Sequence, residues 1–223
     1  MKTLDMKPLE IQMVYDFICP WCWITHVNLN DAIRRAGLEV APLLKYIPFE
    51  INPTMPSAGR NRREYRSAKF GGWENSQELD AGTVLAGRRA GLDFNYDRIE
   101  VTPNTRLAHR LLFFIGMGGD AVKTDALFDA IFYSYFSEGR NIGDSQVLAD
   151  VAAGFGISAK SVSFFLATDA LDQEVVALER KAQTAGVQAV PTIQIGRTRM
   201  SGARPPAALM SVMKETATGR GLW

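Results

Sequence analysis

The feature that most constrains the fold is the position of the two cysteines, which lie three residues apart in the motif Cys19-Pro20-Trp21-Cys22. A short apolar and aromatic run over residues 11–17 ends just before the motif, and its length suits a buried strand better than a helix. After the motif, apolar residues recur at helical spacing until Gly37, which is typical of a helix C-terminus. The sequence therefore predicts that the cysteine pair lies where a strand passes into a helix.

Strand character appears again on both sides of a long helical stretch. Residues 38–47 predict a second strand, in which Pro42 favours an edge position or a bulge. Residues 190–201 predict a hairpin that turns near Gly196, and a last helix follows. Between these regions, periodicity and capping residues predict helices at roughly 103–115, 124–136, 145–153, 158–166 and 169–185, the first of them starting at Pro103. The pattern is α/β: strand, helix, strand, a long all-helical insertion, then strand, strand, helix.

The spacing of the cysteines favours a chemical role over a structural one. A disulfide between residues three positions apart closes almost no loop, so it would constrain the unfolded chain very little. At the mouth of the predicted helix, free N–H groups and the helix dipole favour a negative charge on Cys19, which makes it the candidate nucleophile. Cys22 lies one turn further in and is the candidate resolving cysteine. Pro20 can start the helix because it has no N–H to lose.

Two other interpretations of the cysteine pair stay open at this point: chance spacing and half of a zinc site. A structural zinc ion needs four ligands, and the other soft ligands of the chain are His26 and His109. His26 follows Cys22 by one turn, so a zinc site would also require the distant His109. On its own, His109 is typical of a packing histidine.

A second candidate element is the segment Val190-Pro191-Thr192, directly before the late strand. Because bonds that precede proline adopt the cis form at low cost, we predict a cis bond between Val190 and Pro191 within contact distance of Cys19. The backbone of Val190 would then pair with an extended substrate segment and hold its disulfide near Cys19. An ordinary trans proline at a strand start is the alternative.

Four further side chains in or near the motif are candidates for a site. Asp16 could take the proton that leaves Cys22 during resolution, or it could be a helix-capping or surface residue. Pro20, Trp21 and Trp23 are candidate substrate-binding residues that offer an apolar rim, although Trp23 at helical spacing fits a core position equally well.

Charge and hydropathy exclude several classes of protein. The net charge of +1, from 25 Lys and Arg against 24 Asp and Glu, leaves no basic footprint for nucleic acid. No stretch approaches the roughly 18 apolar residues of a membrane span, and charges interrupt residues 1–10 where a secretory signal would be apolar. We therefore expect a cytoplasmic protein with neither nucleic-acid nor membrane partners.

Several stretches of the sequence resemble the DsbA family, and within it the FrnE-like branch of cytoplasmic thiol oxidoreductases. They are Tyr15–Ile24, Pro48–Pro53, Pro103–Arg110, Tyr135–Ile142, and Val190–Thr192 with Ser201–Ala203. The resemblance implies a thioredoxin-like domain formed by residues 1–52 and 187–223, with residues 53–186 as a helical insertion that caps the active site. It also implies a nucleophilic Cys19, a resolving Cys22 and a cis Pro191 beside them.

A neighbouring branch is similar over the same fold, namely the kappa-class glutathione transferases and the 2-hydroxychromene-2-carboxylate isomerases. Its members typically carry Ser at the position of Cys19, and they activate the thiol of bound glutathione instead of a dithiol of their own. They share the stretch Asn104–Arg110. Glutathione is therefore a candidate ligand, and Asn104 a candidate substrate-binding residue.

Together these features predict a thiol–disulfide oxidoreductase that works through Cys19 and Cys22 on protein or small thiol substrates. We expect it to need neither a metal nor an organic cofactor. The alternatives are a glutathione-dependent isomerase or transferase, and a binding module without redox activity.

Overall fold

The chain folds around a mixed four-stranded sheet in the computed structural model, which describes residues 8–219. Its elements in chain order are β1 (Glu10–Tyr15), α1 (Pro20–Ala36), β2 (Leu43–Pro48), β3 (Arg60–Asn61), α2 (Arg62–Phe70), α3 (Trp73–Arg89), β4 (Val101–Thr102), α4 (Arg106–Gly116), α5 (Ala121–Phe136), α6 (Ser145–Ala153), α7 (Ala159–Leu166), α8 (Asp172–Thr184), β5 (Thr192–Ile195), β6 (Thr198–Ser201) and α9 (Pro206–Ala217). This order confirms the predicted fold class, a thioredoxin-like βαβ and ββα pattern with a helical region between its halves.

The sheet has the strand order β2-β1-β5-β6, with β1 parallel to β2 and antiparallel to β5. Strand β1 lies inside the sheet, and its side chains Ile11, Met13 and Tyr15 are at most 1% exposed, which explains its apolar sequence. Strands β5 and β6 form the predicted hairpin. Pairing places Thr192 opposite Val14, so the start of β5 lies beside the end of β1, where the cysteine motif follows.

Strand β2 starts later than the sequence predicts. The predicted strand covers residues 38–47, whereas β2 begins at Leu43. Pro42 has no N–H for a ladder hydrogen bond, so pairing begins after it, where the N–H of Leu43 donates to the carbonyl of Leu9 at 2.8 Å. The strand lies at an edge of the sheet, as Pro42 predicts.

Helix α1 begins at the cysteine motif, as predicted. Cys19 is its N-cap residue in an extended conformation, and Pro20 occupies the first turn. Gly37 ends the helix in the left-handed conformation, with a φ of 61° that favours glycine. Because the helix packs against α3, α5 and α9, the motif is held at the end of a supported element.

The region between β2 and β5 is mainly helical, but it also contains two short strands. The prediction of an all-helical insertion is wrong in this respect. Strands β3 and β4 form a two-residue antiparallel ladder in which Arg60 pairs with Thr102. The helix predicted from Pro103 begins at Arg106 instead, because Thr102 is extended in the ladder and the Asn104 side chain then accepts from the N–H of Arg106 at 2.9 Å. Within residues 8–219, no helix is both long enough and apolar enough to cross a bilayer.

An aromatic cluster joins the sheet and α1 to the helical region. Phe17 follows β1, Trp23 lies on α1, and Phe128, Phe132 and Phe136 lie on α5, all at most 2% exposed. The ring of Phe132 lies 4.9 Å from that of Phe17, 6.2 Å from Trp23 and 5.1 Å from Phe128 between centroids. The sheet and the helical region therefore share one core.

Candidate active site

The cysteine motif forms a tight turn between β1 and α1. The N–H of Cys19 donates to the carbonyl of Asp16, and the N–H of Cys22 donates to the carbonyl of Cys19, both at 3.0 Å. Cys19 is 6% exposed at the helix N-terminus, whereas Cys22 is fully buried, and both are free thiols. Cys19 is therefore the sulfur nearer to the surface.

The segment before β5 lies against Cys19. The bond between Val190 and Pro191 is cis, as predicted. The Cys19 thiol donates to the carbonyl oxygen of Val190 over an Sγ–O distance of 3.7 Å. The register explains this contact, because the pairing of Thr192 with Val14 places Val190 beside the residues that follow β1.

Cys22 is held as a thiol by its surroundings. Burial raises the pKa of Cys22 well above its ordinary value, and the hydrogen bond and charge of Cys19 raise it further. The charge of Asp16 acts in the same direction, while a hydrogen bond to the Asp16 backbone opposes the rise in part. Because a thiol attacks a disulfide only as thiolate, Cys22 needs a base in order to react.

Asp16 is a buried carboxylate beside the cysteines. It is 0% exposed and its side chain does not cap α1, so the surface and helix-capping interpretations are wrong. Its oxygens accept hydrogen bonds from the backbone N–H of Ile51 at 2.6 Å and of Ile18 at 3.4 Å. The remaining partner is His109, whose Nε2 lies 3.2 Å from Asp16 Oδ1.

His109 lies in the site, although its sequence context is typical of a packing histidine. It is 1% exposed on α4, and its ring contacts those of Tyr15 and Phe17 as well as the Asp16 carboxylate. Local sequence does not link α4 to β1, because their contact depends on how the helical region packs on the sheet. The one signal that points to His109 is its place in the stretch Pro103–Arg110, which resembles the DsbA family.

The donors of the alternative zinc site are not brought together. The ring nitrogens of His26 each lie 3.3 Å from a partner, Asn30 for one and Tyr46 for the other, while His109 bonds to Asp16. Across the part of the chain that the structure describes, no group of three or more His, Cys, Asp or Glu side chains is placed to hold a metal ion. The histidines thus contribute to two separate polar clusters.

The apolar rim around Cys19 contains fewer side chains than the sequence suggests. Trp21 is 40% exposed and Pro20 is half-buried. Trp23 is 2% exposed in the aromatic cluster, and its indole N–H donates to the carboxylate of Asp129 at 2.7 Å. The prediction that Trp23 binds substrate is therefore wrong, because its position on the helix directs the ring towards the core.

Asn104 holds the loop after β2 against the start of α4. Its amide nitrogen donates to the carbonyl of Met55 at 2.7 Å, and its oxygen accepts from the N–H of Arg106. Both ends of the side chain are engaged with backbone groups. These contacts give Asn104 a structural role, and its substrate-binding role stays a prediction.

The sheet topology and the cysteine turn are those of a known family. A family model described as a DSBA-like thioredoxin domain matches residues 10–214. The chain therefore belongs to the DsbA-like thioredoxin domain family, in agreement with the sequence motifs.

Solved structures of similar fold include oxidoreductases and an isomerase. A probable DsbA oxidoreductase from Streptomyces coelicolor is 25% identical, with a TM-score of 0.85 over 95% of this chain and 90% of that one. The cytosolic disulfide reductase DsbM from Pseudomonas aeruginosa, in a structure with GSH, is 15% identical, with a TM-score of 0.66 over 94% of this chain and 100% of that one. A 2-hydroxychromene-2-carboxylate isomerase is 17% identical, with a TM-score of 0.68 over 95% of both chains. The last two likenesses show the shared fold alone.

Proposed function

We propose that the protein is a thiol–disulfide oxidoreductase that exchanges disulfides with protein or small thiol substrates through Cys19 and Cys22. The observation that carries the proposal is the 3.7 Å contact between the Cys19 thiol and the Val190 carbonyl, in front of a fully buried Cys22. This contact brings together a reactive sulfur, a backbone group able to pair with a substrate, and a second sulfur one turn further in. Membership of the DsbA-like family supports the same class of reaction.

In the reducing direction, the Cys19 thiolate attacks one sulfur of a substrate disulfide and expels the other as a thiolate. The N-terminus of α1 favours the negative charge on Cys19 during this step. Cys22 then loses its proton and attacks Cys19 Sγ, which breaks the bond to the substrate. The substrate leaves with both sulfurs reduced, and the protein has given up two electrons to form a Cys19–Cys22 disulfide. The same steps in reverse oxidise a substrate dithiol.

Asp16 is the base for the resolving step in this proposal. It is the buried carboxylate whose charge acts on the Cys22 thiol. As Cys22 attacks, its proton passes to the Asp16 carboxylate. Asp16 is thus the catalytic base, and Cys19 and Cys22 are the reacting sulfurs.

The surface around Cys19 suits an extended peptide or a small thiol. The exposed ring of Trp21 and the half-buried Pro20 offer apolar contact, and the backbone of Val190 offers hydrogen-bonding groups. We propose that the reaction takes place in the cytoplasm without a metal or organic cofactor, and that glutathione is a thiol partner. The fold shared with DsbM, a cytosolic disulfide reductase whose structure contains GSH, is compatible with a cytoplasmic setting and a glutathione partner.

A glutathione-dependent isomerase or transferase is the second candidate. The fold shared with the 2-hydroxychromene-2-carboxylate isomerase is compatible with this activity, in which bound glutathione would supply the reacting sulfur. Cys22 would then be dispensable, since no protein disulfide has to form.

Insulin reduction, followed with and without glutathione, separates the two candidates. We expect turnover that is lost in both Cys19→Ser and Cys22→Ser, because each sulfur makes one of the two bonds. Circular dichroism of each variant controls for folding. Glutathione-dependent turnover of 2-hydroxychromene-2-carboxylate that survives Cys22→Ser would instead support the isomerase and contradict the dithiol mechanism.

A further inference from the structure

Strand β2 lies at one edge of the sheet and pairs with β1. Its first residue, Leu43, donates its N–H to the carbonyl of Leu9 at 2.8 Å, and Phe49, directly after its last residue, donates to the carbonyl of Tyr15 at 2.9 Å. These two contacts fix which residues face β1, because alternate residues of a parallel strand bond to the same neighbour. The odd-numbered residues of β2 therefore bond to β1.

The even-numbered residues of β2 turn their backbone groups away from the sheet. Leu44 and Tyr46 each present an N–H and a carbonyl on this outer side. Among residues 8–219, these groups make no hydrogen bond to a loop, a turn or a side chain. Unpaired groups along an edge are those with which an added strand would pair. The edge thus offers two free donors together with their carbonyls.

A cavity of about 680 Å³ lies along this edge, and all six residues of Leu43–Pro48 line it. Its volume is within the range of ligand-binding sites. The walls are largely apolar and come from α1, α4, α5 and α8, with the side chains Ile33, Leu112, Phe113, Val122 and Leu178. Val122 is 82% exposed and Leu43 is 43% exposed, which is a high exposure for large apolar side chains. We call this cavity the β2 groove.

Asp125 on α5 gives the β2 groove an uncompensated negative charge. Its carboxylate accepts a hydrogen bond from the hydroxyl of Tyr46, which also lines the groove. Within the described part of the chain, no Lys or Arg pairs with Asp125, and burial lowers the pKa of the nearby His26, so that ring is neutral at pH 7. Lys45 lines the groove as well, but it is paired with Glu10 at 2.6 Å. The groove therefore suits a ligand that carries a basic group.

We propose that the β2 groove binds an extended, apolar segment of a polypeptide substrate as an added strand, with a basic side chain of the segment beside Asp125. The free backbone groups of Leu44 and Tyr46 pair with the segment, and its apolar side chains contact the walls. Because β1 and β2 are parallel, the Pro48 end of the groove lies at the edge of the sheet where the cysteine motif follows β1. The inference rests on the proposed function in that the segment belongs to a disulfide-bonded substrate.

Hydrogen exchange of single amides in the wild-type protein tests the added strand directly. The probe is a short cysteine-free peptide of alternating valine and threonine with one central lysine. We expect the peptide to slow exchange most at the amides of Leu44 and Tyr46, because the amides of Lys45 and Ile47 are already bonded to β1. Unaltered exchange at Leu44 and Tyr46 under saturating peptide would overturn the proposal. Slow exchange at both amides without peptide, in a protein that sediments as a dimer, would show a second copy on the edge and would also overturn it.

The variant Leu44→Pro removes one outward donor and leaves the ladder with β1 intact, because proline is tolerated where an edge N–H faces outward. The matched control is Leu44→Val, which keeps the N–H and has a side chain of similar size. Fluorescence anisotropy with the labelled peptide measures both affinities. We expect Leu44→Pro to bind about three- to tenfold more weakly than Leu44→Val, as for the loss of one hydrogen bond. Equal affinities would contradict pairing through the backbone.

A second peptide, with glutamate in place of the lysine, tests the charge of the groove. We expect the wild type to prefer the lysine peptide by about threefold or more, and Asp125→Asn to lose this preference. The control Asp31→Asn makes the same change of charge on α1 outside the groove and should keep the preference. Equal binding of the two peptides by the wild type would overturn the role of Asp125.

Turnover separates the groove from the chemistry of the cysteines. Glutathione disulfide is too small to pair along the strand, whereas insulin has extended segments. We expect the ratio of kcat/KM for insulin to kcat/KM for glutathione disulfide to fall in Leu44→Pro relative to Leu44→Val. The same ratio in both variants would overturn substrate binding in the groove, whereas a wild type that binds the peptide but reduces neither disulfide would contradict the proposed function itself.

Discussion

At the scale of single residues, the two cysteines differ in environment far more than their shared motif suggests. Cys19 lies at the helix N-terminus with its thiol on the Val190 carbonyl, whereas Cys22 is fully buried near the Asp16 carboxylate. Burial and charge together keep Cys22 protonated, so the order of attack follows from position. The sequence motif by itself indicates only that the two sulfurs lie one helical turn apart.

The raised pKa of Cys22 predicts a specific loss of stability in alkaline solution. In the unfolded chain this thiol has a pKa of about 8.5, whereas burial keeps it protonated to higher pH in the folded, reduced protein. The buried thiol contributes fully to the free energy of unfolding below the pKa that Cys22 has in the unfolded chain. That contribution is lost as pH rises above this pKa, by up to about 1.4 kcal/mol per pH unit. Urea unfolding of the reduced protein should therefore show stability that falls above about pH 8.5.

The variant Cys22→Ser controls for other groups that titrate in this range. We expect its stability to fall less steeply between about pH 8.5 and 10 than that of the wild type. Tyr15 and Tyr46 also have raised pKa values through burial, but they act at higher pH because a tyrosine begins from 10.0. Parallel curves for the two proteins would contradict the environment assigned to Cys22.

At the scale of elements, the site depends on how α1 and α5 meet through aromatic rings. Phe132 on α5 is fully buried and contacts rings from the turn after β1, from α1 and from its own helix. This packing holds α1, and with it Cys19, against the helical region.

Phe132→Ala should cost about 3–5 kcal/mol of unfolding free energy, because it leaves a cavity among rings that cannot fully close it. The matched control is Phe164→Ala on α7, where the ring is 76% exposed and the same change should fall within about 0.5 kcal/mol. Urea unfolding at fixed pH measures both values. Similar losses in the two variants would show that the α1–α5 contact does not carry this stability.

At the scale of the whole molecule, local patterns predict most of the fold. The apolar run before the cysteines, the glycine that ends α1 and the hairpin at Gly196 each act through neighbours in sequence, and the structure contains them all. The short ladder of β3 and β4 was not predicted, because two-residue strands have no measurable period. Because of this ladder, α4 begins at Arg106 and not at the predicted Pro103.

The candidate site is predictable in part for the same reason. Cys19, Cys22 and Pro191 belong to local motifs, so their positions follow from strand order and register. His109 and the core position of Trp23 depend on packing between distant segments, which periodicity alone does not resolve.

The central claim is that Cys19 attacks and Cys22 resolves, and trapping of mixed disulfides tests it most directly. Cys22→Ser and Cys19→Ser would each be incubated with glutathione disulfide and with an unfolded disulfide-bonded protein, and the adducts mapped by mass spectrometry. We expect Cys22→Ser to accumulate adducts on Cys19, because the mixed disulfide cannot be resolved, and Cys19→Ser to accumulate none, because Cys22 is buried and protonated. Adducts on Cys22 in Cys19→Ser, with none on Cys19 in Cys22→Ser, would contradict the assignment.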